Sequence, residues 1–237
     1  TDVRTSNERP IEPMHRILTQ LCPILCFALM GGCGSETTGD ESLYTGYYGV
    51  TVEAFEPGTD AGYGQDRLPD VVLGPPLGRG TAAGSVDVLS LGLGGSIVLG
   101  FGETEIVNGD GPDFIIFENA FWAGNDASQV WADPAEVSVS DDGVTWTAFP
   151  CTPDLKDLST LEGCAGWHPV LPYNSNEVMP LDPELTGGDA FDLEELGLER
   201  IRYVKIRDLS VSGAAPTAGF DLDAVGIIHP DPIPSSY

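Results

Sequence analysis

The chain has 237 residues, 41% of them hydrophobic and 8% aromatic, enough to bury the core of one large domain or two small ones. Ten Lys and Arg against 37 Asp and Glu leave a formal net charge of -27, which repels phosphate and excludes nucleic acid as a partner. Val, Ile, Leu and Phe nevertheless recur in strand-sized patches, which a solvating acidic tail lacks, and 30 Gly with 19 Pro make turns frequent and long helices few.

Residues 1–13 carry mixed charge and precede a methionine, so they read as upstream sequence outside the fold. Residues 14–32 have the layout of an export signal: His15 and Arg16, an apolar run from about Ile17 to Met30, then small residues before Cys33. The run is shorter than the roughly 20 residues a membrane span needs and is broken by Gln20 and Pro23. MGGC resembles the lipobox of bacterial lipoprotein precursors, which implies acylation of Cys33 and an exported protein held on the outer membrane or cell surface through its lipid. Residues 33–46 then form a polar tether. Cys22 and Cys26 leave with the signal, so Cys151 and Cys164 remain as a pair expected to form a disulfide around a loop of about a dozen residues. A zinc site is the weaker reading of that pair, since only His168 lies near.

Within the domain expected over 47–230, before a tail at 231–237, the strand candidates are 94–101 (GGSIVLGF), 113–117 (DFIIF), 135–140 (AEVSVS), 202–208 (RYVKIRD) and 220–228 (FDLDAVGII). Asp142 and Gly143 mark a hairpin turn into a returning strand at 144–149, on which Trp146 is read as core. One stretch reads as helical, DAFDLEELG at 189–197, with Asp189 as its N-cap and Gly197 as its stop. Strands at short spacing with one short helix and a long disulfide-stapled loop predict an all-β antiparallel sandwich.

DFIIF does not alternate, so both of its faces should be covered, one by the core and the other by the irregular segment 150–188. Acidic residues stand at both ends of this strand. They are solvated strand ends, oxygen ligands of a hard cation, or a catalytic carboxylate pair. A strand rises about 3.3 Å per residue, which separates Asp113 from Glu118 by about 16 Å and rules out one ion between them. Candidate calcium ligands are therefore Glu118 and Asn119 at one end, Asp110 and Asp113 at the other, with Asp221, Asp223 and Asp189 as partners from elsewhere. Glu118 with Asp223 is the candidate catalytic pair if their strands are neighbours. The chain has no Ser-His-Asp order, phosphate-binding glycine loop or HExxH, and His168 reads as a loop residue, so an enzyme is not expected. For ligand binding the candidates are the rings of Trp122, Trp131, Trp167 and Tyr173, against the bland alternative that they plug the hydrophobic face beneath them.

Segments including 68–76 (LPDVVLGPP), 108–121 (NGDGPDFIIFENAF), 187–198 (GGDAFDLEELGL) and 219–228 (GFDLDAVGII) together resemble a family of bacterial, myxobacterial-type cell-surface proteins and lipoproteins. More distantly, EVSVSDDGVTW followed by RYVKIRD is similar to discoidin-type, galactose-binding-like sandwiches of jelly-roll character. Those likenesses imply a sandwich with a structural calcium and loops that display a surface for a glycan or surface protein. The rival expectations are a structural envelope protein without a small ligand and a jelly-roll-like glycan hydrolase or lyase.

Overall fold

A computed structural model describes residues 46–172 and 181–232. Cys33, Tyr173, the signal and the tether lie outside the described residues. The fold is an all-β antiparallel sandwich. In chain order its strands are β1 (Thr51–Glu56), β2 (Leu89–Ser90), β3 (Ser96–Gly100), β4 (Thr104–Val107), β5 (Phe114–Glu118), β6 (Phe121–Trp122), β7 (Val130–Trp131) and β8 (Ala135–Ser140). There follow β9 (Thr147–Ala148), β10 (Cys164–Ala165), β11 (Asp189–Phe191), β12 (Arg200–Ile201), β13 (Tyr203–Asp208), β14 (Asp221–Ile227) and β15 (Pro230–Pro232).

The larger sheet runs β1-β3-β13-β8-β10, with β9 also on β8, and the facing sheet runs β11-β5-β14-β2. Register explains the first. Val204 lies between Leu99 and Val139, and Ile206 between Ile97 and Val137, so two rows of three branched side chains point into the core. On the other face Arg207 pairs with Glu136 at 3.2 Å, and Lys205 sits 4.5 Å over the Trp146 ring. Trp146 is thus half-buried on the outer face, a correction to its reading as core; the polar threonines around it leave no apolar surface to bury it against. Only Thr147–Ala148 of the returning strand pairs with β8, because Asp142 accepts from the N–H groups of Val144 and Thr145 and holds that stretch in a turn.

The second sheet is organised by β5, which is buried on both faces as its lack of alternation requires. Phe114 and Ile116 join the inter-sheet core with Val225 and Ile227, whereas Ile115 and Phe117 join a smaller cluster of Tyr48, Val170, Leu181 and Ala224. Val170 and Leu181 come from the irregular segment expected to cover this face. They approach closely because two glycines make room. A Cβ on Gly226 of β14 would fall 2.4 Å from the Leu181 side chain, and Gly188, at φ +80°, would push one into the Ile116 backbone and Phe117 ring. A bulge between Leu222 and Ala224 shifts the phase of β14, so Leu222 and Val225, three apart, face the same core.

The stretch 189–197 departs from its expected helix. Asp189–Phe191 pairs with β5 as β11, and only Leu193–Leu196 turns, as a 3-10 helix capped by Asp192 and ended by Gly197 in the left-handed conformation. Asp189 is buried as a strand residue because Phe191 alternates with it into the sheet. Among the described residues the regular helix is the single turn α1 (Pro183–Thr186), capped by Asp182. Cys151 and Cys164 are joined by a disulfide. It sits at the edge of the larger sheet, where Cys164 pairs with Glu136 of β8, and the chain then runs on from Gly166 to cover β5.

The cross-link closes a loop across a separation of 13 residues, for which loop-closure entropy gives about 3 kcal/mol. Replacing both cysteines by alanine should lower the unfolding free energy by about 2–3 kcal/mol in urea denaturation.

Candidate functional site

The two ends of β5 solve the burial of a carboxylate differently. At its start Asp113 accepts from the N–H groups of Gly109 (2.8 Å) and Leu193 (2.7 Å) and contacts His229 Nδ1 at 2.8 Å. One side chain thereby ties together the preceding turn, the 3-10 helix and the end of β14. Its oxygens are occupied by the fold, while Asp110 is exposed beside it.

At the other end Glu118 continues the inward series of Phe114 and Ile116 and is 1% exposed. Glu118 Oε1 accepts a long bond from the Asp221 N–H at 3.4 Å, and Oε2 is buried without a partner. Asp221 lies across on β14. Ser90 Oγ donates to its Oδ1, and Asn119 Nδ2 donates to its Oδ2 at 3.0 Å. Asn119 also reaches the Ser85 carbonyl at 3.4 Å. The structure thus brings Glu118, Asn119 and Asp221 together as neighbours on adjacent strands. Asp223 sits at the bulge with its carboxylate on the Leu77 N–H, 3.1 and 3.2 Å away, and Asp189 turns to other partners. Sequence reasoning missed Ser90 and Asp133, which join this cluster from distant segments with no motif to mark them.

Among the described residues no basic side chain balances Glu118, Asp221 or Asp223. Buried Glu105 is clamped by Arg200, 2.6 Å away, and by Arg202, but among the described residues no ion pair reaches Glu118, Asp133, Asp221 or Asp223. Burial consequently pushes the Glu118 carboxyl well above the ordinary range, and the charges of Asp221, Asp133 and Asp189 push the same way. Burial raises Asp133 and Asp221 to about 6 and Asp223 to about 7. Among the described residues no group of three or more His, Cys, Asp or Glu side chains is arranged to hold a metal ion.

A second constellation opens to solvent. His168 Nδ1 lies 2.8 Å from Asp189 Oδ1, while Asp189 Oδ2 accepts from the N–H groups of Gly166 (2.7 Å) and Trp167 (3.2 Å). Burial raises the Asp189 pKa, opposed by His168 and these N–H groups. The imidazole, 47% exposed, is packed against the Trp167 ring at 3.7 Å between centroids. His168 lines a cleft of about 400 Å³ together with Thr81, Trp122, Leu171, Glu184 and Gly187. The partnership of His168 with Asp189 spans 21 residues, which is why His168 reads as an ordinary loop residue in the sequence. Trp131 lies on the facing strand of the β6-β7 hairpin from Trp122 and is 61% exposed, so one ring of that pair does stand in solvent.

The class of protein defined by these observations is an antiparallel β-sandwich with one enclosed acidic cluster and one open aromatic cleft. No family model matches the chain, and no curated protein matches it, so the likenesses drawn from its segments have no family model behind them. Among solved structures, a chain described as a glycoside hydrolase is similar over 60% of this chain at 13% identity and a TM-score of 0.31. This chain spans about a fifth (22%) of that protein's length.

Each raised pKa makes stability depend on pH. Because the folded pKa lies above the unfolded value near 4, the stabilisation is complete below about pH 4 and is lost as pH rises through 6 to 7. In metal-free buffer the urea midpoint should therefore fall between pH 5 and pH 8. Glu118→Gln removes the most enclosed acid at constant shape and should raise stability at pH 8, by about 1.4 kcal/mol for each pKa unit abolished, while changing little at pH 5. A pH profile unchanged by Glu118→Gln would show that general repulsion of the acidic surface, and not this cluster, governs the loss.

Proposed function

We propose that the protein is an exported, lipid-anchored surface module that binds a neutral glycan in the cleft between Trp122 and His168. The observation that carries this reading is the cleft itself. An indole supplies a flat apolar face of the kind a sugar ring stacks on, and beside it His168, Thr81 and Glu184 supply donors and acceptors for hydroxyl groups. Asp189 holds His168 in one orientation, so little side-chain freedom is lost on binding. A net charge of -27 disfavours anionic ligands and leaves neutral sugars as the better match. The binding reading is supported over a hydrolase because Glu118 and Asp223, the candidate catalytic pair on neighbouring strands, are 1% and 3% exposed, enclosed away from a polysaccharide. The anchor rests on the lipobox likeness at Cys33.

Calcium is the second part of the proposal. Glu118, Asp221 and Asn119 would supply the hard oxygen ligands, and the orphaned Glu118 Oε2 fits such an ion. The ion would compensate the charge that protons compensate at low pH, stiffening the end of β5 without taking part in ligand contact.

Titration against neutral oligosaccharides should give saturable binding that Trp122→Ala and His168→Ala each weaken by about two- to tenfold, with the fold intact by circular dichroism. Binding indifferent to both substitutions overturns the cleft. Calcium at pH 8 should restore the melting temperature lost on raising the pH, more than magnesium does at equal ionic strength, and Glu118→Gln should erase the difference. Equal effects of the two ions would leave screening as the explanation. For the anchor, Cys33→Ser should move the protein from the detergent phase to the aqueous phase on partition.

A further inference from the structure

The β6-β7 hairpin carries aromatic rings on both of its faces. Phe121 is paired with Trp131 and Trp122 with Val130, so alternation puts Phe121 and Trp131 on one side and Trp122 on the other. Trp122 lines the cleft. Trp131 does not. Its ring rests on Phe121, with centroids 5.9 Å apart and planes 9° from parallel, and it is 61% exposed where the other three tryptophans are half-buried.

A single exposed side chain is common on protein surfaces, but the hairpin holds this ring still. Its turn is closed by the Ala123 N–H on the Gln129 carbonyl (2.8 Å) and by Asp126, which accepts from the Ser128 N–H (3.0 Å). Its base is pinned to the neighbouring loop by the Trp122 N–H on the Thr81 carbonyl (2.7 Å) and by Thr81 Oγ1 on Asn125 Oδ1 (2.8 Å). The hairpin from Asn119 to Asp133 contains no Lys or Arg, and apart from its rings and Val130 it is made of small, amide, hydroxyl and acidic residues.

We propose that the Phe121-Trp131 platform is a second sugar-stacking subsite, so that the protein grips a neutral polysaccharide along its chain and across the hairpin. The proposal rests on the cleft reading above. A supported, outward-facing indole within a polar rim has the dimensions and chemistry of one sugar face. A stable protein interface needs about 800 Å² per partner around an apolar centre, which one ring in a polar surround does not provide. The absence of cations from the rim disfavours an acidic glycan. A ligand touching both platforms must pass over an edge of the hairpin and is therefore longer than the sugar that fills the cleft alone.

The test uses the full chain in detergent and ladders of neutral glucan, xylan and mannan oligomers, from disaccharides to octasaccharides, titrated by calorimetry. Trp131→Ala should weaken the longer oligomers by about two- to tenfold and leave disaccharides unchanged, with Trp131→Phe restoring most of the loss. Trp122→Ala should weaken every length. If Trp131→Ala leaves all lengths unchanged while Trp122→Ala does not, the platform is no subsite and the cleft reading stands. If Trp131→Ala weakens all lengths equally, the two rings serve one compact site and the extended chain is wrong. If no ladder binds, the cleft reading has failed and this proposal falls with it. Loss of a surface-protein contact on Trp131→Ala without any glycan effect would assign the platform to a protein partner instead.

Discussion

A central strand with no solvent face dictates most of this architecture. The five residues of β5 are all buried, so the chain must supply two apolar surfaces where an ordinary sandwich strand needs one. The inner surface comes from the sheet opposite and is regular, because paired strands present their side chains in rows. The outer surface has to be assembled from Tyr48, Val170 and Leu181, which belong to segments far apart in sequence. Those segments are held by point contacts with glycines and by short backbone bridges, such as the Leu171 N–H on the Thr186 carbonyl at 2.9 Å. The irregular loop is thus as much a part of the core as the strands are.

The same burial forces a decision about charge wherever a carboxylate falls inside. An enclosed carboxylate is tolerated when N–H groups or a cation replace the water it loses. Asp113 takes the first course and Glu105, between two arginines, the second. Asp208 follows Asp113, accepting from the Gly94 N–H (2.9 Å) and the Phe220 N–H (2.8 Å). Glu118 has only the long bond from the Asp221 N–H, and its charged neighbours are themselves acids. Burial therefore favours the protonated acid there, and this end of β5 is the part of the core most sensitive to pH.

What could be read from the sequence follows from how local each cause is. The strands Ser96–Gly100, Ala135–Ser140 and Tyr203–Asp208 are legible because period-two alternation is written within each, and the burial of DFIIF because that alternation is missing. The turn at 193–197 is written in Asp192 and Gly197, but the three residues before it are strand, since Asp189–Phe191 finds an edge of β5 that no local pattern announces. Glu118 and Asn119 were legible as unusual, and Asp221 as their partner. The roles of Ser90, Asp133 and the His168-Asp189 pair were not, because each depends on which strands become neighbours. Trp146 misleads for the same reason: on β9's hairpin its fate is set by Lys205 of β13.

The cleft arises where the two coverings of β5 meet. The segment that carries Gly166, Trp167 and His168 is the one that goes on to place Val170 over Phe117, and Asp189, which orients His168, is the first residue of the strand that pairs with Ile116. The groove is therefore bordered by elements fixed from below by the core, with Trp122 supplied by a hairpin fixed from the side by Thr81. Recognition surfaces gain most from side chains whose freedom has already been spent on folding. Here the need to roof a strand that cannot face water supplies that rigidity to the rings and the tethered imidazole at the exposed edge of the roof, on which the proposed ligand contact rests.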